Sequence, residues 1–245
     1  MLTLFASDLH LSAHRPETTE LFLRFLAGPA READALYLLG DLFDYWIGDD
    51  DLDDPLSDPL GRRVCDALAS LPGTRFFLPG NRDFLIGAAF SAASGCALLA
   101  DEIVIDLAGT PTVLLHGDTL CTDDAAYQAF RATTRSPAWQ REFLTLPLAE
   151  RRKQAEALRE QSETEKRTKS YDLMDANADA IARTFRRHGV TRMIHGHTHR
   201  QARHEHLVDG RVRERWVLGD WDGRDNRANA LAVDDCGGRW LSIAP

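Results

Sequence analysis

Residues 35–44 read ALYLLGDLFD: an apolar run of core-strand length, then a glycine, then a carboxylate. Glycine at the end of the run permits a sharp turn or a close backbone approach, so Asp41 is presented just where the strand finishes. The same grammar recurs on both sides. Leu2–Ser7 runs into DLH, Arg75–Leu78 into PGNRD, Thr112–Leu115 into HGD, Arg192–Ile194 into HGHTH, and Trp216–Leu218 into GDW. Between the early strands lie helical patterns: Leu21, Phe22, Phe25 and Leu26 within Glu17–Ala27, and Val64, Leu68 and Leu71 within Arg62–Leu71. Alternating strands and helices predict an α/β fold. The later strands are closely spaced, with Gly-rich turns at Asp209-Gly210 and Gly237-Gly238, and this favours two packed sheets over one doubly wound sheet.

One segment breaks the rhythm. From about residue 124 to 175 there is no strand pattern, and Ala, Leu, Glu, Arg and Lys dominate, the composition of helices inserted into the α/β body. Arg131–Lys169 holds ten Lys/Arg and six Asp/Glu, a local +4 within a chain of net charge −9, so the remainder carries −13. Helical charge of this kind ordinarily lies on a solvated face. The negative total argues against diffuse binding to nucleic acid or anionic lipid, but not against one anionic substrate held by a bound metal. The run Asp49–Asp54 (DDDLDD) reads as an exposed acidic loop. No apolar stretch is long enough to span a bilayer, and MLTLFASDLH has no signal-peptide flank, so a soluble cytoplasmic protein is expected. The four scattered cysteines, Cys65, Cys96, Cys121 and Cys236, read as reduced thiols. No heptad marks a partner chain, and a monomer is expected.

The strand-end residues carry the chemistry. Asp8 and His10 are two apart, which on an extended strand places both side chains on one face. Asp41, Asn81 and His116 close three further strands, and His197 and His199 supply two imidazoles at i and i+2. Ligands of open α/β sheets bind beyond the carboxyl ends of the strands, where these motifs converge. Three carboxylate or carboxamide side chains with four imidazoles suit borderline divalent ions such as Mn, Fe, Zn or Co. Seven ligands exceed the need of one catalytic ion and fit two that share a bridging carboxylate.

In this order, DLH, GDLFD, GNRD, HGD and GHTH resemble the motif set of the calcineurin-like metallophosphoesterases. The resemblance implies a two-sheet β-sandwich flanked by helices with a dinuclear centre at one end. It assigns Asp8, His10, Asp41 and His199 to one ion and Asp41, Asn81, His116 and His197 to the other, with Asp41 as the bridge. SDLHLS, GDLFDYWIGDD, GNRDFLIG and HGDTLCTDDAAYQAFR resemble more particularly the UDP-2,3-diacylglucosamine hydrolase family, along nearly the whole chain. That resemblance implies a Mn-activated pyrophosphatase of lipid A assembly. Water would attack the UMP phosphorus, giving UMP and 2,3-diacylglucosamine 1-phosphate, with Asp41, Arg82 and His197 as the catalytic residues. Residues 124–175 would form a helical lid within a single domain spanning residues 1–245. Substrate contacts carried over are Asn81, Arg82, Asp124, Ser162, Lys166, Lys169 and His197, with Arg159 as a further candidate. Peripheral attachment to the cytoplasmic face of the inner membrane would follow from such a substrate.

One position is open to physical argument. Many relatives have histidine where this chain has Arg82; a guanidinium donates no proton near neutrality but forks onto phosphate oxygens. Arginine there suits a leaving group that needs no proton, such as a sugar 1-phosphate. Asp83 is placed to orient Arg82, and Asp44 to support the metal shell. The apolar Tyr127, Phe130, Trp139, Phe143, Leu144, Leu146 and Leu148 either pack the inserted helices together or line an acyl groove. Two rival functions are a nucleotide or nucleic-acid phosphodiesterase of the same superfamily and a non-catalytic metal-binding scaffold. Arg82 and the scarcity of aromatic–basic stacking surface weigh against the first. A scaffold would have lost ligands, and all seven are present.

Overall fold

The parallel strands fold as the apolar runs require. β1 (Thr3–Ala6), α1 (Pro16–Ala27), β2 (Ala35–Leu38), α2 (Leu60–Ala69), β3 (Thr74–Phe77), α3 (Ala88–Ser94) and β4 (Ala97–Leu98) alternate strand and helix. This computed structural model describes residues 1–168 and 175–243, with side chains for all of these but 161–168. An antiparallel pair follows, β5 (Glu102–Leu107) and β6 (Thr110–Leu115). The inserted segment then runs as α4 (Ala125–Thr134), α5 (Pro137–Thr145) and α6 (Leu148–Thr168), and α7 (Ala178–His188) returns the chain to β7 (Arg192–His195). The last strands are β8 (Ala202–Val208), β9 (Arg211–Val217), β10 (Asn229–Asp234) and β11 (Gly237–Ser242).

Two sheets result. One has the order β11-β10-β1-β2-β3-β4 and the other β5-β6-β7-β9-β8. β1 to β4 are mutually parallel, as are β6, β7 and β9, while β10 and β8 run antiparallel to their neighbours. Phe5, Leu39, Leu78, Leu114, Ile194, Trp216 and Leu231 fill the space between the sheets. Phe22 and Phe25 of α1 and Val64 and Leu68 of α2 cover the outer face of the first sheet, packed with Trp221. Ile181 and Phe185 of α7 cover the second sheet over Val113 and Met193. The order helix, sheet, sheet, helix is the two-sheet sandwich expected from the strand spacing.

Local signals account for the helix ends. Pro16 occupies the first turn of α1, where its missing N–H costs nothing. The Asn177 side chain accepts the N–H groups of Asp179 and Ala180 to start α7, and Gly189 in left-handed conformation stops it. The acidic run departs from expectation: it forms a short 3-10 helix over Asp49–Asp53 whose carboxylates are engaged. Asp49 accepts the Trp46 indole N–H at 3.0 Å and the backbone N–H groups of Gly87, Ala89 and Phe90, so it caps the start of α3.

Candidate metal centre

The carboxyl ends of β1, β2 and β3 in one sheet meet those of β6, β7 and β9 in the other along one rim. There the backbone is unusual. Asp8, His10, Asp41, His197 and His199 all have positive φ, at 56°, 49°, 53°, 65° and 58°. A non-glycine residue pays about 1–3 kcal/mol for such a conformation, which persists where surrounding structure over-determines it. Asp8 and His10 therefore do not share a face by strand pleating as expected; β1 ends at Ala6, and alternate left-handed turns aim them together. Backbone bonds from Asp8, His10 and Leu11 to the carbonyls of Gly40, Asp41 and Leu42, at 2.9–3.1 Å, fasten the two loops side by side. A Cβ on Gly40 would strike the Gly80 backbone, so this pair of glycines lets the second and third ligand loops touch.

Asp83 fastens those loops from beneath. Fully buried, it accepts N–H groups from Gly80 at 2.9 Å, Asp41 at 3.2 Å, Leu42 at 2.7 Å and Phe43 at 3.4 Å. The sequence suggested that Asp83 orients Arg82; instead it holds the backbone beneath Asp41. Burial, reinforced by neighbouring Asp41, pushes its carboxyl up to about 7. Asp44 likewise differs from expectation, since it pairs with Arg159 Nε at 2.5 Å rather than with a candidate ligand.

The imidazoles and carboxylates converge as two overlapping groups. Ligand atoms of Asp8, His10 and His199 lie within 4.8 Å of one another, as do those of Asp8, Asp41 and His116. Asp8 is common to both, and Asp41 of the second group reaches towards the first: Oδ2 is 3.9 Å from His10 Nδ1, and Oδ1 is 3.6 Å from His116 Nε2. Asn81 Oδ1 lies 2.9 Å from His116 Nε2 and 2.9 Å from His197 Nδ1. His116 Nδ1 donates to the Leu39 carbonyl at 2.8 Å, which aims Nε2 into the site. Burial opposes a charge on His116, but Asp41 and Asp8 outweigh it and push the imidazole up to about 9. Burial and the neighbouring His116 push His197 down to about 3, leaving it neutral, the form that binds metal. Burial raises the Asp8 carboxyl, yet His199, His116 and His10 together hold it well below the usual range. Asp8 Oδ2 accepts from Ser7 Oγ at 2.5 Å and from the His197 N–H at 2.9 Å. Its Oδ1 is buried with no hydrogen-bond partner among the described residues, 3.3 Å from His199 Nε2. A buried carboxylate oxygen without a donor, beside imidazole nitrogens aimed inward, is what a cation site requires. The residues present fit a pair of divalent ions.

Several participants were not legible in the sequence. Asp220, in the GDW motif after β9, lies 3.7 Å from His199 Nδ1 and backs that ring; the motif was visible as a strand end, but nothing gave it a role. Asp118 is buried and accepts Tyr127 Oη and Arg131 Nε, each at 2.6 Å. Those donors are four apart on α4, so one face of that helix is tied to the loop carrying His116. The Tyr127 ring also faces His197, with centroids 6.0 Å apart. Arg135 continues the tie to the Gly80 carbonyl at 2.8 Å.

The expected substrate residues are placed unequally. Asn81 and Arg82 are on the rim, and the Arg82 N–H donates to Asp41 Oδ1 at 2.9 Å. Asp124 caps α4 by accepting the Tyr127 N–H at 3.1 Å, at the foot of the same helix. Arg159 reaches the core through Asp44. Ser162 and Lys166 are on the backbone of α6 with side chains outside the described set, and Lys169 lies outside the described residues. Of the apolar residues of the insertion, Phe143 is buried and stacks on Trp139 at 4.8 Å, which is helix packing. Phe130 and Leu144 are 41% and 42% exposed.

Two packed sheets with a ligand-rich rim at their parallel strand ends define a metallophosphoesterase, and a family profile described as calcineurin-like phosphoesterase matches residues 1–201. The domain implies divalent metal ions. Among curated relatives, the chain is 54% identical over 224 residues to the UDP-2,3-diacylglucosamine hydrolase of Aromatoleum aromaticum, covering 90% of this chain and 89% of the relative. It is 51% identical to the enzyme of that name from Salmonella arizonae, over 90% of this chain and 91% of the relative. To that from Pseudomonas paraeruginosa it is 49% identical over 98% of both. The chain belongs to the UDP-2,3-diacylglucosamine hydrolase family of calcineurin-like phosphoesterases.

Proposed function

We propose that the protein hydrolyses the pyrophosphate bond of UDP-2,3-diacylglucosamine, releasing UMP and 2,3-diacylglucosamine 1-phosphate. The observation that carries this is the overlap at the rim, where Asp41 lies between His10 and His116 while Asn81 Oδ1 touches both His116 and His197. Identity of about half along nine-tenths of the chain to hydrolases named for that substrate supports its choice. Asp8, His10, Asp41 and His199 would hold one ion, and Asp41, Asn81, His116 and His197 the second. Manganese fits this nitrogen–oxygen set. Two such ions, when bound, polarise phosphoryl oxygens and lower the pKa of water at neutral pH.

The chain's own residues supply the rest. Asp41, fixed by the Asp83 clamp and the Arg82 N–H, keeps both halves of the site in register. The Arg82 fork binds phosphate oxygens as charge develops, and it need protonate nothing because the leaving sugar phosphate is already an acid anion. Tyr127 holds His197 from the side, while Asp118 fixes the tyrosine hydroxyl. Residues 124–175 would act as a lid, with Asp124, Arg159, Ser162, Lys166 and Lys169 as its substrate-binding groups. Exposed Phe130, Leu144 and Leu158, one on each of α4, α5 and α6, suit peripheral contact with the cytoplasmic face of the inner membrane. Among the described residues no helix is long and apolar enough to cross a membrane.

Purified, Mn-loaded protein incubated with UDP-2,3-diacylglucosamine in detergent should release UMP, and in oxygen-18 water the label should enter UMP. Asp41→Ala should reduce turnover at least about a thousandfold, the scale lost when a charge-stabilising group is removed. No UMP release together with brisk cleavage of bis-p-nitrophenyl phosphate would point to a phosphodiesterase instead. Label found only in the lipid phosphate would overturn attack at the UMP phosphorus.

A further inference from the structure

The acidic run after Asp41 has no ligand role at the rim, and two of its carboxylates, Asp50 and Asp51, find arginine partners 101 residues away. Asp50 grips Arg151 with both oxygens, Nη1 to Oδ1 at 2.9 Å and Nη2 to Oδ2, across 101 residues. The same guanidinium donates to the Ile47 carbonyl at 2.6 Å and, through Nε, to the Leu146 carbonyl at 2.9 Å. Arg151 is only 2% exposed, an unusual burial for a charge. Gly48, at φ 133°, makes the room: a Cβ there would strike Arg151 Nη1. The next residue, Arg152, reaches Asp51 at 2.8 Å and Ser57 Oγ at 2.9 Å. Eight residues beyond Arg151 along α6, roughly two turns and about 12 Å, Arg159 Nε meets Asp44. Asp44 is three residues past Asp41, and its N–H bonds the Leu11 carbonyl, next to His10. One stretch, Asp44 to Asp51, thus receives three consecutive arginine contacts from one helix and continues directly from the loop that carries Asp41.

We propose that Arg151 and Asp50 are positioning residues for the hydrolysis of the glycolipid nucleotide. Their bidentate pair fixes the register of α6 on the core and so sets Arg159 beside Asp44 at the metal rim. The inference rests on the substrate reading given above and adds the part that aligns the lid. Arginine is needed because a planar fork can meet a carboxylate and two carbonyls at once, whereas an ammonium presents a single point. A small displacement of a substrate-facing group is enough to cost two orders of magnitude in rate. The pair touches neither the candidate ligands nor Arg82, so a small substrate that needs only the rim should not sense it.

The test compares two substrates in full-length, Mn-loaded protein. Arg151→Lys and Asp50→Asn should lower kcat/KM for UDP-2,3-diacylglucosamine roughly 10- to 100-fold, while kcat/KM for bis-p-nitrophenyl phosphate stays within about twofold of wild type. Asp50→Glu, which keeps a carboxylate, should recover much of the loss, and Asp53→Asn in the same run should change neither substrate. Backbone hydrogen exchange provides a readout that needs no substrate: in Asp50→Asn, amides of residues 151–160 should exchange faster while those of α1 are unchanged. Equal loss on both substrates, or loss on neither, overturns the proposal, and so does unaltered exchange in α6. A wild-type protein that releases no UMP but shows the exchange difference would sink the substrate reading and leave the pair as the anchor of α6.

Discussion

Asp83 shows how much one side chain can decide. Four backbone N–H groups from two different loops end on its two oxygens, in a site with no exposure to water. Aspartate can serve them because its ionised form offers only acceptors, and the Gly80 and Leu42 N–H groups favour that form against the burial that pushes the carboxyl up to about 7. Asparagine has nearly the same shape but would turn an NH2 group towards N–H donors. Asp83→Asn should therefore lose about 1–3 kcal/mol, the cost of leaving buried donors unmet. At about 2–4 °C per kcal/mol for a chain of this size, melting should fall by several degrees. Turnover should fall with it, because Asp41 stands on that backbone; an unchanged melting temperature would refute the clamp. The residues it supports are themselves strained, and the strain is concentrated where chemistry is expected. Of the eight non-glycine residues with positive φ among the described residues, five are candidate ligands.

At the scale of the element, α4 deserves separation from the rest of the insertion. Its apolar residues suggested either packing or an acyl groove, yet Tyr127 and Arg131 are spent on Asp118, a carboxylate at the end of the His116 loop. Burial raises the Asp118 carboxyl, but His116, His197 and Arg131 outweigh it and hold the group well below the usual range. The charge is thus kept ionised inside the protein, so the two donors are not equivalent. Tyr127→Phe removes a neutral donor and should cost about 1.5–3 kcal/mol, the scale of a hydrogen bond to a charged group. Arg131→Met strips the counter-charge and should cost about 3–5 kcal/mol. Thermal melts of both variants check the order; equal losses would mean that Asp118 is not charged in the folded protein. The helical patterns of α1 and α2 were legible because one face of each is apolar at helical spacing. β8 was not, since ARHEHLV alternates charge with imidazole and alanine at a sheet edge, and offers no apolar run to read.

For the whole molecule, the sandwich explains why one rim collects so many ligands. Two sheets packed face to face bring two sets of parallel carboxyl ends together, the first contributing Asp8, His10, Asp41 and Asn81 and the second His116, His197 and His199; the two buried carboxylates repel each other, and burial disfavours their charge, when no cation is present. Bound ions should then stabilise the fold as well as enable the reaction. Chelation should stop hydrolysis and lower melting, and Mn should restore both. At an ion concentration of about 100 Kd the stabilisation is about 2.7 kcal/mol, or roughly 5–10 °C. Melting that ignores chelation would show that no native site on this rim binds the ion.

The sequence alone determined the strand ends, the seven candidate ligands and their order, and through them the class and the family of the protein. These are local properties: an apolar run, a glycine and a polar residue are neighbours in the chain, and their meaning survives without coordinates. Tertiary structure decided what holds the ligands in place. The Asp83 clamp joins residues 42 apart, and the Asp50–Arg151 pair joins residues 101 apart. Spacing records no such contact, because the chain between the partners can take any length that lets them meet. Nor could the sequence show that Asp8 and His10 share a direction through left-handed turns rather than a pleat, since neither residue favours that conformation by itself. Only the packed loops around them make it the lower in free energy.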